Sequence, residues 1–318
     1  MKVLVIGCGI IGSAIAFHLG HLGIEVEVWE AQNQPGLGAT GAALGILMGV
    51  SSSKTKGRAC QLRLDSLKLY DQWLPQLEPG VLLHQGIFCI PSDREFWHSL
   101  AETRLAQGYS LEPGTLRGWS GFFSPTDRVV HPRRLLLNLI GRASQMGVKF
   151  HWGRQLSRGE VPHADRVVVC AGLGSAPLAP LALQPVGGQG IQVLLPIESL
   201  NIPPVHIVDE EGDFNIVPLG EGNYWIGATV EFDPTPLPRA ENVSYLLGRA
   251  IKYFPEFQSS VVLDSWANYR PRPVGRSAPV IEFLPDRKDW IVASGHYRNG
   301  ILLAPITAQI VGEMIGSG

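Results

Sequence analysis

The sequence lacks several patterns that would place it in common classes of protein. It contains no Lys/Arg run, and its 26 basic and 28 acidic residues give a formal charge of −2 over 318 residues. Nucleic acid is therefore not an expected partner, because phosphate binding needs a concentrated cationic face. After the opening segment, no uninterrupted apolar run approaches the roughly 20 residues of a membrane helix. We expect a soluble protein without stable membrane insertion.

Cysteine is scarce, and no metal-binding pattern is present. The four cysteines form no CxxC motif and are Cys8, Cys60, Cys89 and Cys170. Scattered cysteines favour buried reduced thiols in a cytoplasmic protein over a disulfide framework or a zinc site. His18 and His21 lie three apart on a predicted helix without a third ligand, so no metal is expected. The absence of a G-x-S-x-G motif disfavours a serine hydrolase.

The strongest pattern that is present lies at the start of the chain. A short aliphatic run is followed by G-x-G-x-x-G at residues 7–12, then by apolar residues at helical spacing, and then by a second strand ending in Glu30. Gly7 makes the tight turn, Gly9 lets the backbone approach a pyrophosphate closely, and Gly12 lets the helix pack on the strand. Glu30 is placed to bind a ribose diol. This unit predicts a dinucleotide site and does not distinguish FAD from NAD.

Two further segments need an explanation. Residues 38–47 are small and glycine-rich, which suits either a chain lying against a large planar group or a flexible loop. Residues 296–302, HYRNGIL, place Arg298 and Gly300 between a predicted core strand and a final helix from about Pro305. Arg298 either pairs only with protein acids or contacts a ligand.

Arg270 follows an apolar strand sequence, and a buried guanidinium costs several kcal/mol unless an anion accompanies it. One candidate is an internal carboxylate, and the acids nearby in sequence are Asp264, Glu282 and Asp286. The other is a substrate carboxylate, because the planar guanidinium matches two oxygens. The residues alone leave both open. Arg272, in a proline-rich turn, is expected to face solvent.

Five motifs in order give the chain a family resemblance. They are GCGIIGSAIA with Glu30, ATGAALGIL, ADRVVVCAG, NYRPRPVGRSAPVI and HYRNGILLAP. Together they resemble the FAD-dependent amine and amino acid oxidases of the D-amino acid oxidase and sarcosine oxidase group. Within that group the chain is most similar to the glycine oxidases of thiamine biosynthesis. The resemblance extends from residue 1 to about residue 316.

The resemblance implies an α/β (α+β) fold, with a Rossmann-type FAD-binding domain and a discontinuous antiparallel-sheet substrate domain. The FAD-binding domain is expected at residues 1–80, 130–183 and 268–318. The substrate-binding domain is expected at residues 81–129 and 184–267, with a helix near Arg239 to Phe254 covering its sheet.

The resemblance also implies the site residues. Non-covalent FAD is expected to contact Gly7, Gly9, Ile10, Ile11, Gly12, Glu30, Ala31, Thr40, Gly41, Ala42, Leu44, Gly45, Ala171, Gly172, Gly174, Arg270, Arg298, Asn299, Gly300, Ile301 and Leu302. Arg270 and Arg298 are the expected catalytic residues. The substrate is expected to contact Asn215, Val230, Arg270 and Arg298. The amides of residues 300–302 are expected to face the pyrimidine edge of the flavin.

The implied function is an oxidase that deaminates glycine, sarcosine, a D-amino acid or another small amino acid. A hydride passes to flavin N5, and dioxygen is reduced to hydrogen peroxide. No dedicated general base is required if the amine enters in its neutral form. The product is linked to thiamine thiazole synthesis, and homo-oligomerisation is compatible with the sequence.

Three departures from the family keep alternatives open. The segment between Phe150 and Arg166 is short, Asn215 stands where glycine oxidases tend to have tyrosine, and the chain ends soon after its last helix. One alternative is an amino acid dehydrogenase that passes electrons to a quinone. Another is a flavin-binding protein without amine turnover. An NAD-dependent dehydrogenase is disfavoured by the segment after Glu30 and by the C-terminal glycine turn.

Overall fold

The computed structural model of the protein describes residues 1–157, 159–196, 200–232 and 238–316. The predicted domain ranges also include residues 158, 197–199, 233–237, 317 and 318, which lie outside the described residues. Across the described ranges, no helix is both long and apolar enough to cross a membrane. All four cysteines are free and buried, as the sequence predicts.

The described part of the chain forms six α-helices and fifteen strands. The helices are α1 (Ile10–His21), α2 (Arg58–Trp73), α3 (Arg94–Ala106), α4 (Pro132–Gln145), α5 (Ala240–Tyr253) and α6 (Gly300–Gly316). The strands are β1 (Lys2–Ile6), β2 (Glu25–Glu30), β3 (Ile46–Leu47), β4 (Leu82–Ile90), β5 (Glu112–Leu116), β6 (Trp119–Val130), β7 (Lys149–Trp152), β8 (Arg166–Val169), β9 (Leu183–Leu194), β10 (Val205–Asp209), β11 (Gly212–Gly220), β12 (Asn223–Gly227), β13 (Val261–Pro273), β14 (Val280–Leu284) and β15 (Arg287–Ser294).

The first sheet has the strand order β14-β15-β8-β1-β2-β7 and is parallel except for β14, which pairs antiparallel with β15. β1 lies inside this sheet, and its aliphatic residues are buried on both faces, as is usual for parallel strands covered by helices. Apolar residues of α1, α2, α4 and α6 form a continuous core with one face of the sheet. This is the Rossmann-type arrangement that the first glycine turn predicts.

The second sheet has the order β13-β9-β12-β11-β10-β4-β6-β3, with β5 paired to β6. Its pairs are antiparallel except β10 with β4, which are parallel and far apart in sequence. α5 packs on this sheet through a separate apolar core. The fold class expected from the sequence is therefore confirmed. The division into domains stays a prediction, and β13 runs continuously across the expected boundary between residues 267 and 268.

The last helix begins earlier than the sequence suggests. It was expected from about Pro305, but α6 begins at Gly300 and contains that proline. A proline inside a helix has no N–H to donate to the carbonyl four residues earlier, here that of Ile301. Tyr70 Oη of α2 donates to this carbonyl at 2.5 Å, and Ser66 Oγ donates to the next one, that of Leu302, also at 2.5 Å. These two side chains satisfy the carbonyls, so the helix continues to its glycine start.

The segment of residues 49–54 is held between two buried charges. Asp127 on β6 accepts hydrogen bonds from the amides of Gly49, Val50 and Ser51 at 2.8–2.9 Å and from Ser51 Oγ at 2.5 Å. On the other side, Arg104 of α3 donates to four carbonyls of this segment, at residues 49, 50, 52 and 54. Both side chains are fully buried. Two elements associated with the second sheet therefore fix the path of the 49–54 segment.

We expect Asp127→Asn to lower the free energy of unfolding by about 3 kcal/mol, because an amide cannot accept all four hydrogen bonds of the buried carboxylate. Urea denaturation of the purified protein measures the change. Asp65→Asn is the matched control, since Asp65 makes a surface ion pair with Lys68, and its loss should change stability by less than about 0.5 kcal/mol. Equal effects of the two substitutions would contradict the role of Asp127.

Candidate functional site

A cavity of about 1490 Å³ lies where the two sheets face each other. It is lined by residues at or just after the carboxyl ends of β1, β2, β8 and β15, by the first residues of α1 and α6, and by parts of β10, β11 and β13. Ligands of open α/β sheets bind beyond the carboxyl ends of the strands. The volume exceeds the roughly 300–1,000 Å³ of ordinary small-molecule sites, which indicates a large ligand.

The first glycine turn brings α1 close to β1 and presents its amides to this cavity. Gly7 has a φ of 103°, which favours glycine. An added Cβ at Gly12 would lie 1.9 Å from the carbonyl oxygen of Gly7, so only glycine lets α1 approach this turn. The amide of Ile10 donates to Thr40 Oγ1 at 3.0 Å, which ties the 38–47 segment to the helix start.

The carboxylate of Glu30 is held against the same turn. Its Oε2 accepts from the amide of Cys8 at 2.7 Å, and its Oε1 accepts from the amide of Gln32 at 2.9 Å. Glu30 lines the cavity. A carboxylate has about four acceptor positions, so these two bonds leave capacity for a ligand hydroxyl.

The second turn lies directly beside the first. An added Cβ at Gly300 would lie 3.9 Å from Ile10 Cγ2 and 3.8 Å from His296 Cβ, both ordinary contacts. The packing within the protein therefore does not itself require glycine at this position. The first amides of α6 have no partner within the helix, and residues 300–302 line the cavity. Burial lowers the pKa of His296 to about 3, so this neighbouring imidazole is neutral at physiological pH.

Arg270, on β13 of the second sheet, lines the cavity without a carboxylate partner among the described residues. Its Nη1 donates to the carbonyls of Gly187 at 2.6 Å and Thr229 at 3.1 Å. An added Cβ at Gly188 would lie 2.1 Å from Nη2, so the guanidinium lies flat against this glycine. Burial, with a smaller contribution from the charge of Arg298, lowers the pKa of Arg270 to about 10.

The internal acids considered as partners of Arg270 do not fill that role. Glu282 pairs with Arg276 instead, and neither Asp264 nor Asp286 forms an ion pair with Arg270 in the described ranges. Arg272, two residues along the strand, is exposed, as expected. Within the described ranges, Nε and Nη2 of the Arg270 guanidinium have no hydrogen-bond partner, so this edge can donate to an anion in the cavity.

Arg298 has an internal partner that the sequence analysis missed. Its Nη2 hydrogen-bonds to Asp213 Oδ2, and both residues line the cavity. Asp213 lies on β11 two residues before Asn215. Residues i and i+2 of a strand share a face. Since Asn215 was expected to face the substrate, this alternation was the available signal for Asp213.

Asn215 faces a buried histidine across the β10–β11 pair. His206 Nδ1 and Asn215 Oδ1 are 2.9 Å apart, and Asn215 Nδ2 lies 3.4 Å from the carbonyl of Gly227. This arrangement assigns the proton to Nδ1 of the imidazole. Burial lowers the pKa of His206, so the ring is neutral. The sequence analysis did not identify His206.

Most of the predicted site residues meet around this one cavity. Those that line it are Gly7, Gly9, Ile10, Ile11, Glu30, Ala31, Thr40, Ala42, Leu44, Gly45, Ala171, Gly172, Gly174, Asn215, Arg270, Arg298, Asn299, Gly300, Ile301 and Leu302. Gly12, Gly41 and Val230 do not line it. An added Cβ at Gly41 would lie 2.1 Å from the carbonyl oxygen of Gly36, so this glycine serves the turn itself.

A further group of lining residues was not predicted. Trp29, at the end of β2, lies under the guanidinium of Arg154, whose Cζ is 4.3 Å from the ring centroid. Both line the cavity together with Gln32 and Leu156. Arg154 and Leu156 belong to the short connection after β7, whereas Trp29 and Gln32 lie at and just after the end of β2. The end of β2 and the connection after β7 therefore supply an aromatic ring and a cation to this part of the cavity wall.

These features fit a flavin dinucleotide. Two helix N-termini present unpaired amides, which suit a pyrophosphate and an electron-rich ring edge. A carboxylate stands beside the first turn, and the cavity has room for a long ligand. The sequence model of the family described as FAD dependent oxidoreductase, DAO, matches residues 2–314.

The chain belongs to this family. Its curated relatives include the bifunctional protein ThiO/ThiG of Synechocystis sp., which is 30% identical over 98% of this chain and 51% of its own length. This chain therefore spans about half the length of the bifunctional relatives it matches. The glycine oxidase of Geobacillus kaustophilus is 28% identical over 98% of this chain and 92% of its own length.

Solved structures give the same result. The crystal structure of the glycine oxidase from Geobacillus kaustophilus superimposes with a TM-score of 0.85 at 25% identity, covering 99% of this chain and 95% of that one. The fold class, the FAD-dependent oxidoreductase family and the likeness to glycine oxidases expected from the sequence are thereby confirmed.

We expect Gly12→Ala to weaken FAD binding at least tenfold, because the new methyl group would meet a backbone oxygen of the phosphate-binding turn rather than a movable side chain. Gly141→Ala is the matched control within a helix. An added Cβ at Gly141 meets nothing within 4 Å, so this change should stabilise the protein by about 0.5–1 kcal/mol. The FAD dissociation constant and the melting temperature report both effects. An unchanged FAD dissociation constant in Gly12→Ala would contradict the assignment of the first glycine turn to FAD binding.

Proposed function

We propose that this chain is an FAD-dependent oxidase that deaminates glycine or another small amino acid, such as sarcosine or a D-amino acid. The family relationship and the likeness to glycine oxidases support the reaction class. The observation that carries the proposal is Arg270, a half-buried cation in the same cavity as both amide turns, two of whose nitrogens have no hydrogen-bond partner among the described residues.

Arg270 is suited to hold the substrate carboxylate. The carbonyls of Gly187 and Thr229 occupy Nη1 and fix the plane of the guanidinium. The N–H groups of Nε and Nη2 can then donate to both oxygens of a carboxylate in a bidentate pair. Holding the carboxylate at a fixed place orients the Cα–H bond of the substrate, and positioning of this kind supplies much of catalysis.

An amine that enters the reaction in its neutral form needs no dedicated general base. When bound, FAD supplies the two-electron oxidation of the amine to an imine and transfers the electron pair to dioxygen as hydrogen peroxide, and water hydrolyses the released imine. The amides at the start of α6 would stabilise negative charge on the ring edge that they face. We assign no catalytic histidine, since His206 and His296 are buried and neutral.

The proposed assignment keeps the two expected domains. Residues 1–80, 130–183 and 268–318 would hold FAD without a covalent bond, and residues 81–129 and 184–267 would provide the substrate side. Arg298 and Asn215 would line the substrate position beside Arg270. The relatives named ThiO support a role in thiamine biosynthesis, and the four free buried thiols support a cytoplasmic location.

Turnover of an amine panel tests the proposal. The FAD-loaded protein should release hydrogen peroxide with glycine, sarcosine or D-alanine under air, in equal amount to the amine consumed. Amine consumption that requires an added quinone, without peroxide, would favour a dehydrogenase. Flavin that keeps its absorption band with every amine under anaerobic conditions would favour binding without turnover.

We expect Arg270→Ala to lose about 2–5 kcal/mol of transition-state stabilisation, because the substrate carboxylate would remain buried without its partner. The measurement is kcat/KM for the best amine of the panel. Arg272→Ala is the control, because it removes an exposed arginine from the same strand and should change kcat/KM less than about twofold. Near-normal kinetics in Arg270→Ala would remove its proposed role.

A further inference from the structure

Three charged side chains lie together where the second sheet closes the cavity. Arg270 is on β13, Asp213 is on β11, and Arg298 follows β15. Asp213 and Arg298 form an ion pair, and their side chains keep 30% and 35% of their exposure. Arg270 has only carbonyl partners in the described structure. The two guanidinium groups are close enough for the charge of Arg298 to contribute to the lowered pKa of Arg270.

The charge states of these groups follow from their surroundings. Burial raises the pKa of Asp213, but the hydrogen bond and charge of Arg298 outweigh burial, so the pKa is lowered and the group is a carboxylate. Burial lowers the pKa of Arg298, but the bond with Asp213 outweighs it, and the guanidinium stays charged. His206 is neutral. The cluster therefore carries one net positive charge, that of Arg270, and matches one carboxylate.

A substrate with two carboxylates would need a second cation at this place. Arg298 is the neighbouring candidate, but its Nη2 is bonded to Asp213. Engaging it would leave Asp213 unpaired beside two substrate carboxylates. Like charges placed together at one site disfavour binding, and a partly buried carboxylate that loses its ion-pair partner adds to that cost.

We propose that Asp213 is a specificity-determining residue that restricts the site to monocarboxylates, by neutralising Arg298 and repelling a second carboxylate. This inference rests on the proposed function, because it takes Arg270 as the group that holds the first carboxylate. Removing the charge of Asp213 releases Arg298 as a second carboxylate-binding group. Removing Arg298 instead leaves Asp213 as an unpaired anion, so the two changes act in opposite directions.

Ligand binding to the FAD-loaded protein tests the inference without turnover. Acetate and malonate differ by one carboxylate, and the second carboxylate of malonate must lie next to the first. Calorimetry gives the ratio of their dissociation constants, malonate over acetate. We expect Asp213→Asn to lower this ratio at least tenfold and Arg298→Gln to raise it. Asp213→Glu keeps the charge and should keep the parental ratio.

Glu210→Gln is the matched control. Glu210 lies in the turn of the same β10–β11 hairpin and pairs with Lys252, and it does not line the cavity. The change in net charge equals that of Asp213→Asn, so long-range charge alone would shift the ratio in both variants. We expect the Glu210→Gln ratio to stay within about twofold of the parent.

Sarcosine and iminodiacetate give a second readout, since they differ by one carboxylate on the N-substituent. The kcat/KM of iminodiacetate relative to sarcosine should rise at least tenfold in Asp213→Asn. If Asp213→Asn fails to bind FAD, the Arg298→Gln variant tests the inference instead. A malonate-over-acetate ratio that does not rise in that variant would then overturn it. Unchanged ratios with normal glycine oxidation would overturn this inference alone. Ratios that shift as expected in a protein that oxidises no amine would overturn only the proposed function.

Discussion

The site depends on two helices that begin side by side at one cavity. α1 and α6 run in the same direction, since Gly300 lies beside Ile10 at their starts and an added Cβ at Gly312 would lie 2.8 Å from His18 Nε2 farther along. Their dipoles therefore add, and the positive ends meet where both helices have unpaired amides. Such a place favours an electron-rich ligand. The other features of the cavity are arranged around that point.

Local patterns predicted the fold and much of the cavity wall, because their physical cause lies within a few residues. The first glycine turn requires a positive φ at Gly7 and no side chain at Gly12, and both needs are visible in the sequence. The start of α6 was not predictable in this way. It depends on Tyr70, 231 residues from the carbonyl that Pro305 leaves free. Asp213 was likewise missed because its partner, Arg298, is 85 residues away.

The two arginines of the cavity are held by different kinds of partner. Carbonyl dipoles and the bare backbone of Gly188 hold Arg270 in place without cancelling its charge. A carboxylate holds Arg298 and does cancel it. A cation surrounded by dipoles still attracts an anion, whereas a cation with a full counter-charge does so weakly. The kind of partner therefore distinguishes the proposed roles of Arg270 and Arg298.

The 49–54 segment has a consequence for how the protein gains stability. Residues 51–54 form part of the cavity wall, while the carboxylate of β6 and the guanidinium of α3 fix the path of this segment. Any molecule that occupies the cavity and needs this wall in place binds the native chain and not the unfolded one. Binding of that molecule therefore raises the free energy of unfolding of the parts that hold the wall, including β6 and α3. Binding of a cofactor would thereby stabilise the second sheet as well, although the first glycine turn lies in the first sheet.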